Sequence, residues 1–313
     1  MSAAGAQTYP PAAGQLGSTA IYKDSSVFIN WANGCRVVRG YMDVSNPALG
    51  YASVGDIGMA LGKAGTNGVL SLGDGGWATC TFQWPISNGQ GFDFAIFENG
   101  FDDYFLELAE VEVSSNGIHF FAFPSHSLTD TLIQKDSFDS LNATMLNNLA
   151  GKYRGSYGTP FDLQELQGNA NLDVQSVTHV RVRDVVGSIN NQYATRDAYN
   201  NKINDPWPSP FPSSGFDLDA IGVIYQNTHL VLEEGIYNKQ VSVFPNPVQT
   251  NETLYFEFNL AVKQVNLIQT IGETIPLTCD QNQLRLPTLS PGIYLLEFVT
   301  EQGNYFKKIV LQN

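Results

Sequence analysis

The sequence predicts an all-β protein: a large jelly-roll-like β-sandwich followed by a small immunoglobulin-like β-sandwich. Three observations predict it. Short runs rich in Val, Ile, Phe and Tyr recur along the chain, separated by turns rich in Gly, Asn and Asp. Hydrophobic residues make up 43% and charged residues 15%, with 29 Gly and 19 Phe, too apolar and aromatic a balance for a disordered chain. At 313 residues the chain is longer than one core usually organises, so two domains are expected at roughly 100 to 200 residues each.

Residues 1–19 read as an extended segment, Pro-, Ala- and Gly-rich at Thr8-Tyr9-Pro10-Pro11-Ala12-Ala13-Gly14. Met1-Ser2-Ala3-Ala4-Gly5-Ala6-Gln7 has neither a charged n-region nor a long apolar stretch. Its small residues fit the tail of a removed signal peptide or an artificial start. Residues 20–226 form the large domain, with strands expected at 69–72, 77–84, 92–98, 106–114, 119–123, 177–186 and 216–225. Gly-Asp-Gly-Gly at 73–76 and Ser-Ser-Asn-Gly at 114–117 supply turn signals. The stretch 136–168 is less regular, and Asn142, Asn147 and Asn148 allow no more than a short helix over 141–149. A Pro-rich loop over 190–214 contains Trp207 and Phe211 among four prolines, which makes it a rigid surface feature. Residues 227–240 read as a linker. The second domain, 241–313, opens Val241-Ser242-Val243-Phe244-Pro245-Asn246-Pro247, turns at Gly272-Glu273 and closes with strands at 292–298 and 307–311. About six or seven short strands there suffice for a small sandwich.

The formal charge of −14 comes from 16 basic and 30 acidic residues without a basic run, which disfavours nucleic acid and anionic lipid surfaces. No apolar run approaches the ~18 residues that span a bilayer. Cys35, Cys80 and Cys279 lack CxxC spacing and form no zinc site. Cys80 shares a strand face with Phe82 and Trp84 and reads as a buried thiol, while an oxidising compartment would allow a Cys35–Cys80 disulfide. The four histidines fall in no HExxH, and neither GxSxG nor a phosphate loop is present. Ser125-His126-Ser127 reads as a surface loop.

Two acidic segments are candidate sites. Glu98, Asn99 and Asp102 crowd oxygen ligands around a Gly turn at the end of the strand over 92–97, the ligand type a calcium ion takes. Asp217 and Asp219 alternate onto the same face as Ile221 and Val223, so a carboxylate approaches buried surface and needs a cation or strong donors. Glu107 poses the same question on the face of Ala109, Val111 and Val113. Three readings stand: backbone N–H bonds or pairing with Arg181 or Arg183, a structural calcium ion, or catalytic carboxylates. Trp207 and Phe211, with Tyr193, Tyr199 and Tyr104, are the candidate ligand platform, because flat rings suit a sugar face or a large planar ligand.

The Pro-Asn-Pro entry, the Gly272 turn, Ser290-Pro291-Gly292-Ile293-Tyr294 and Lys307-Lys308-Ile309-Val310-Leu311 together resemble the type A sorting domain of Bacteroidota surface proteins. That resemblance implies passage through type IX secretion machinery to the extracellular space or outer cell surface. The runs over 93–101, 107–117, 157–163 and 215–220 resemble a family of uncharacterised secreted bacterial cell-surface proteins. The closing strand is similar to the last strand of galactose-binding-like jelly rolls, which implies glycan affinity and a structural calcium. Association of similar proteins with uptake systems implies a corrinoid such as vitamin B12 instead. The expected function is non-catalytic capture of an extracellular nutrient. A carboxylate-dependent glycan hydrolase or esterase and a structural, adhesive surface protein are the alternatives.

Overall fold

The computed structural model describes residues 9–227, 241–250, 252–268, 274–301 and 303–312. The predicted linker past residue 227, the turn at Gly272-Glu273 and the first eight residues lie outside the described residues. The chain divides into two compact units, Met1–His229 and Leu230–Asn313.

In the large unit the strands run β1 (Ile21–Tyr22), β2 (Asn30–Trp31), β3 (Gly34–Val38), β4 (Leu70–Ser71), β5 (Trp77–Ile86), β6 (Phe94–Glu98), β7 (Ala109–Ser114), β8 (Phe121–Ala122), β9 (His126–Ser127), β10 (Leu146–Asn147), β11 (Tyr157–Phe161), β12 (Val177–Asp184) and β13 (Asp217–Val223). The front sheet has the order β1-β11-β6-β13-β2, with β4 also pairing β13, and the back sheet the order β3-β5-β12-β7-β8. All of these pairs are antiparallel. Ala78 and Cys80 of β5, Val111 and Val113 of β7, and Val180 and Val182 of β12 turn inward, onto Phe94, Ile96, Phe161, Leu218, Ile221 and Val223. Burying each of the larger side chains stabilises the sandwich by about 1.5–3 kcal/mol.

Strand β13 is buried at every position. Its other side is covered by a second small cluster, Ala64, Ala95, Phe97 and Ala220, over which Phe28 and Trp31 pack. Here the simple alternation expected for Asp217 and Asp219 is corrected. Leu218, Ile221 and Val223 all face the main core, and the pairing with β6 shifts register between Leu218 and Ala220. A one-residue irregularity reverses the parity of every side chain before it, so the two aspartates leave the face of Ile221 and Val223.

The possible helix over 141–149 is a 3-10 turn, Ala143–Met145, capped by the Asn142 side chain and followed directly by β10. Cys80 is fully buried, and Cys35 stands directly opposite it across β3 and β5 with both thiols free.

The small unit contains β14 (Val241–Phe244), β15 (Val248–Gln249), β16 (Thr253–Phe258), β17 (Val262–Ile268), β18 (Thr274–Leu277), β19 (Cys279–Asp280), β20 (Gln283–Arg285), β21 (Gly292–Thr300) and β22 (Gly303–Gln312). They form the sheets β14-β16-β20-β19 and β15-β22-β21-β17-β18. Val241, Leu254, Phe256, Leu267, Leu296, Phe298 and Ile309 fill the space between them. Asn246 explains the Pro-Asn-Pro entry: its amide Nδ2 donates to the Lys308 carbonyl at 2.9 Å, and its Oδ1 accepts from the Val310 N–H at 2.9 Å. The turn is thereby fastened to β22.

Candidate functional site

Where β6 leaves the front sheet and β13 enters it, the large unit carries a pocket of about 280 Å³. Phe101, Phe105, Phe138 and Phe211 form its walls, Glu107 and Asp217 its acidic part, and Asn99, Ser137, Ser209 and Ser213 add polar groups.

Local chemistry positions the walls. After β6, Glu98 Oε2 accepts the Gly100 N–H at 2.6 Å and turns the chain back. Asp102 Oδ1 then accepts the N–H groups of Tyr104 and Phe105, both at 2.8 Å, an Asx-type turn that orients the phenyl rings on either side. The Pro-rich loop is anchored by Trp207, whose indole N–H donates to Asp74 Oδ2 at 2.9 Å and whose backbone N–H donates to Lys135 O at 3.1 Å. The Ser137 hydroxyl donates to the Pro208 carbonyl, which joins the segment bearing Phe138 to the loop bearing Phe211. The rings follow one another with centroid separations of 5.6 Å (Phe101–Phe105), 5.8 Å (Phe105–Phe138) and 6.2 Å (Phe138–Phe211). Phe101 is 80%, Phe138 70% and Phe211 44% exposed, so this is a contiguous aromatic rim facing solvent.

The electrostatics of the acidic part are set first by burial. Burial pushes Asp217 up to about 6, although its carboxylate accepts from the Ser71 hydroxyl and from the Asn99 side chain. Glu107 is held well above the usual carboxylate range by burial and then by the charges of Glu98 and Asp217. Glu98 lies beside them, 1% exposed, and is raised in the same way by burial and then by Asp217. Its Oε1 has no hydrogen-bond partner among the described residues. Arg39 acts on Asp217 by charge alone, since its guanidinium donates to the carbonyls of Val54, Ser71 and Gly55.

These placements sort the residues singled out in the sequence. Asn99, Asp217 and Phe211 line the pocket, and Glu107 joins them. Trp207 and Tyr193 pack on each other at 6.3 Å, with Trp207 serving as the loop's anchor. Tyr199 lies against His126 at 4.4 Å, and Tyr104 is 62% exposed beside the rim without lining it. Asp219 accepts the Gly65 N–H at 2.9 Å with both oxygens. Arg181 pairs with Glu112 at 3.1 Å rather than with any of these carboxylates. Asn99, Asp102, Asp217 and Asp219 are thus engaged by protein groups and Glu98 through Oε2 alone, and among the described residues no three His, Cys, Asp or Glu side chains are arranged to hold a metal ion. Phe101, Phe105 and Phe138 were not anticipated. The Phe-x-x-x-Phe spacing around Asp102 was the one available signal.

The upward push on Glu98 has a direct consequence. Glu98→Gln keeps the acceptor for Gly100 and is expected to change the stability of the large unit by less than about 1 kcal/mol at pH 4, where the folded and unfolded chains both hold the Glu98 proton. At pH 7 it is expected to be the more stable form, because the unfolded chain has released a proton that the folded chain resists losing, a cost the amide escapes. Urea titration at pH 4 and at pH 7 measures this. A large loss at pH 7 would mean that a charged Glu98 is held by a cation.

Comparison with known protein families matches residues 242–312 to the secretion system C-terminal sorting domain. The small unit is a sorting domain. The protein is therefore exported to the cell surface or the extracellular space, with type IX secretion machinery as a partner. No described helix is long and apolar enough to cross a membrane. No curated protein matches the chain. A solved structure described as "Biofilm associated protein - BSP domain" is similar at 10% identity and a TM-score of 0.18, over 76% of this chain and 48% of that one. The chain thus spans about half of that protein, and a likeness at this level defines neither fold nor function.

Proposed function

We propose that the large unit captures a saccharide in the phenyl-rimmed pocket, outside the cell, without turning it over. The observation that carries this reading is the run Phe101–Phe105–Phe138–Phe211, exposed at all but the half-buried Phe105, around two carboxyl groups and three serine hydroxyls. Phenyl faces pack on the C–H face of a pyranose, while carboxylates and hydroxyls take its hydroxyl hydrogens. Small-molecule pockets hold roughly 300–1,000 Å³. The 280 Å³ here suits a sugar residue better than a corrinoid macrocycle, which would have to lie across the mouth. Export by the sorting domain supports an extracellular ligand.

Titration calorimetry of the full chain against a panel of neutral oligosaccharides and cobalamin tests the reading. Phe211→Ala is expected to weaken saccharide binding by about 1.5–2 kcal/mol, roughly 10- to 30-fold, with an unchanged melting temperature. Binding of cobalamin alone, or of no saccharide, would overturn it.

A second reading is favoured by the raised carboxyl groups of Glu107 and Asp217 facing one pocket, the pattern of an acid/base pair. Turnover of aryl glycosides, lost in Glu107→Gln, would replace capture by hydrolysis.

A further inference from the structure

The outer face of the back sheet carries a second site of opposite charge. Strand register places Arg36, Thr79, Arg181 and Glu112 in one row across β3, β5, β12 and β7. Gly34, Thr81, His179 and Ser114 make the next row. Trp77, half-buried, stands beside the first row on β5, and a groove of about 460 Å³ runs between these side chains. The small side chains of Thr79 and Thr81 on β5 leave the space that Arg36, Arg181 and His179 enclose.

The groove is built rather than merely open. Arg181 lies 3.5 Å from the centroid of the Phe120 ring, its Nη1 is 3.1 Å from Glu112 Oε2, and its Nε donates to Thr79 Oγ1 at 3.3 Å. A guanidinium held on three sides keeps its orientation and loses little freedom when it takes a ligand. Arg36 faces it from the other edge, exposed, with neither an ion pair nor a hydrogen bond among the described residues. His179 shares a 2.7 Å hydrogen bond with the Thr178 hydroxyl through Nδ1, which leaves Nε2 to the groove. On a chain with a formal charge of −14, an unpaired guanidinium and a second one beside it, next to an indole face, are a local reversal.

We propose that this groove binds a carboxylate-bearing saccharide, a uronate, at a site separate from the phenyl-rimmed pocket. The planar guanidinium fork of Arg36 matches a carboxylate in a bidentate way, Arg181 adds positive charge beside it, Thr79 and Thr81 offer hydroxyls to the ring substituents, and Trp77 gives the apolar face a surface to stack on. The proposal does not depend on the saccharide reading of the pocket, because no residue is common to the two.

The test is calorimetry of the full chain with oligogalacturonate, using a neutral galacto-oligosaccharide and a sulfated galacto-oligosaccharide of equal length as comparisons. Oligogalacturonate is expected to bind, and to bind more weakly as salt rises. Arg36→Ala, on an exposed side chain, is expected to leave the melting temperature unchanged and weaken binding at least 10-fold, whereas Arg36→Lys restores part of the loss and Phe211→Ala changes nothing. Equal binding of the neutral oligomer, tighter binding of the sulfated one, no binding of oligogalacturonate, or an undiminished affinity in Arg36→Ala would each overturn the assignment. If Phe211→Ala rather than Arg36→Ala abolished oligogalacturonate binding, the ligand would belong to the pocket and the groove would be vacated as a site.

Discussion

Raising the pH from 4.5 to 7.5 is expected to lower the thermal stability of the large unit. Burial pushes Asp74, Asp93 and Asp217 each up to about 6, against about 3.9 for an aspartate in an unfolded chain. Glu98, Glu107, Asp184 and Asp205 are likewise held well above the usual carboxylate range, all with burial as the first cause. Below pH 4 both folded and unfolded chains hold these protons, and the weaker acidity of the folded state has no effect. Between about 4 and 6 the unfolded chain releases protons that the folded one retains, so stability falls as pH rises through that window. A tenfold difference in acidity between the two states corresponds to about 1.36 kcal/mol. For Asp74, Asp93 and Asp217 together the loss is on the order of a few kcal/mol once partial solvation is discounted, or roughly 5–10 °C in melting temperature. The measurement is selective, because all four tryptophans, Trp31, Trp77, Trp84 and Trp207, belong to the large unit and their fluorescence reports its unfolding. A melting temperature that is flat or rising from pH 4.5 to 7.5 would show that cations or water compensate the buried carboxyl groups.

Asp184→Ala is expected to destabilise the same unit by about 2–5 kcal/mol. Asp184 is buried at the end of β12, where Oδ1 accepts the Phe216 N–H at 2.7 Å and Oδ2 the Gly75 N–H at 2.9 Å. One side chain thus ties the back sheet to the turn after β4 and to the entry of β13. Alanine would strand two donors and open a void beside Gly215, where even an added Cβ would meet Asp184 Oδ1 at 2.6 Å. Asp184→Asn keeps one acceptor and is expected to lose less than half as much. Urea unfolding followed by tryptophan fluorescence gives both values, and an alanine variant within about 1 kcal/mol of wild type would contradict the account.

Much of the sandwich was legible because it is written as alternation. Trp77 to Ile86, Ala109 to Ser114 and Val177 to Asp184 each run long enough for a period of two to show. Two-residue strands such as Ile21–Tyr22 and Asn30–Trp31 have no period to detect and exist only through their partners. The sorting domain was readable from its ends, since Pro-Asn-Pro and Lys-Lys-Ile-Val-Leu are local patterns. The pocket was readable in part. Phe211 and Asp217 were marked by their surroundings in the chain, but exposure of Phe101 and Phe138 depends on which loops meet. Trp207 shows the converse: its partner Asp74 lies far away in sequence, and only that bond turns a candidate platform into an anchor. The groove required the register of four strands, and no single segment states it.

Strand β13 also governs when the protein becomes competent. It pairs with β6, β4 and β2, so that Val223 meets Asn30 across nearly the whole length of the large unit. Pairings so distant in sequence are slow to find, on the millisecond-to-second scale typical of sandwiches. Asp217 sits on this strand, so a pocket cannot precede its docking. In a refolding experiment, saccharide binding should therefore return with the last kinetic step rather than with the first burial of tryptophan.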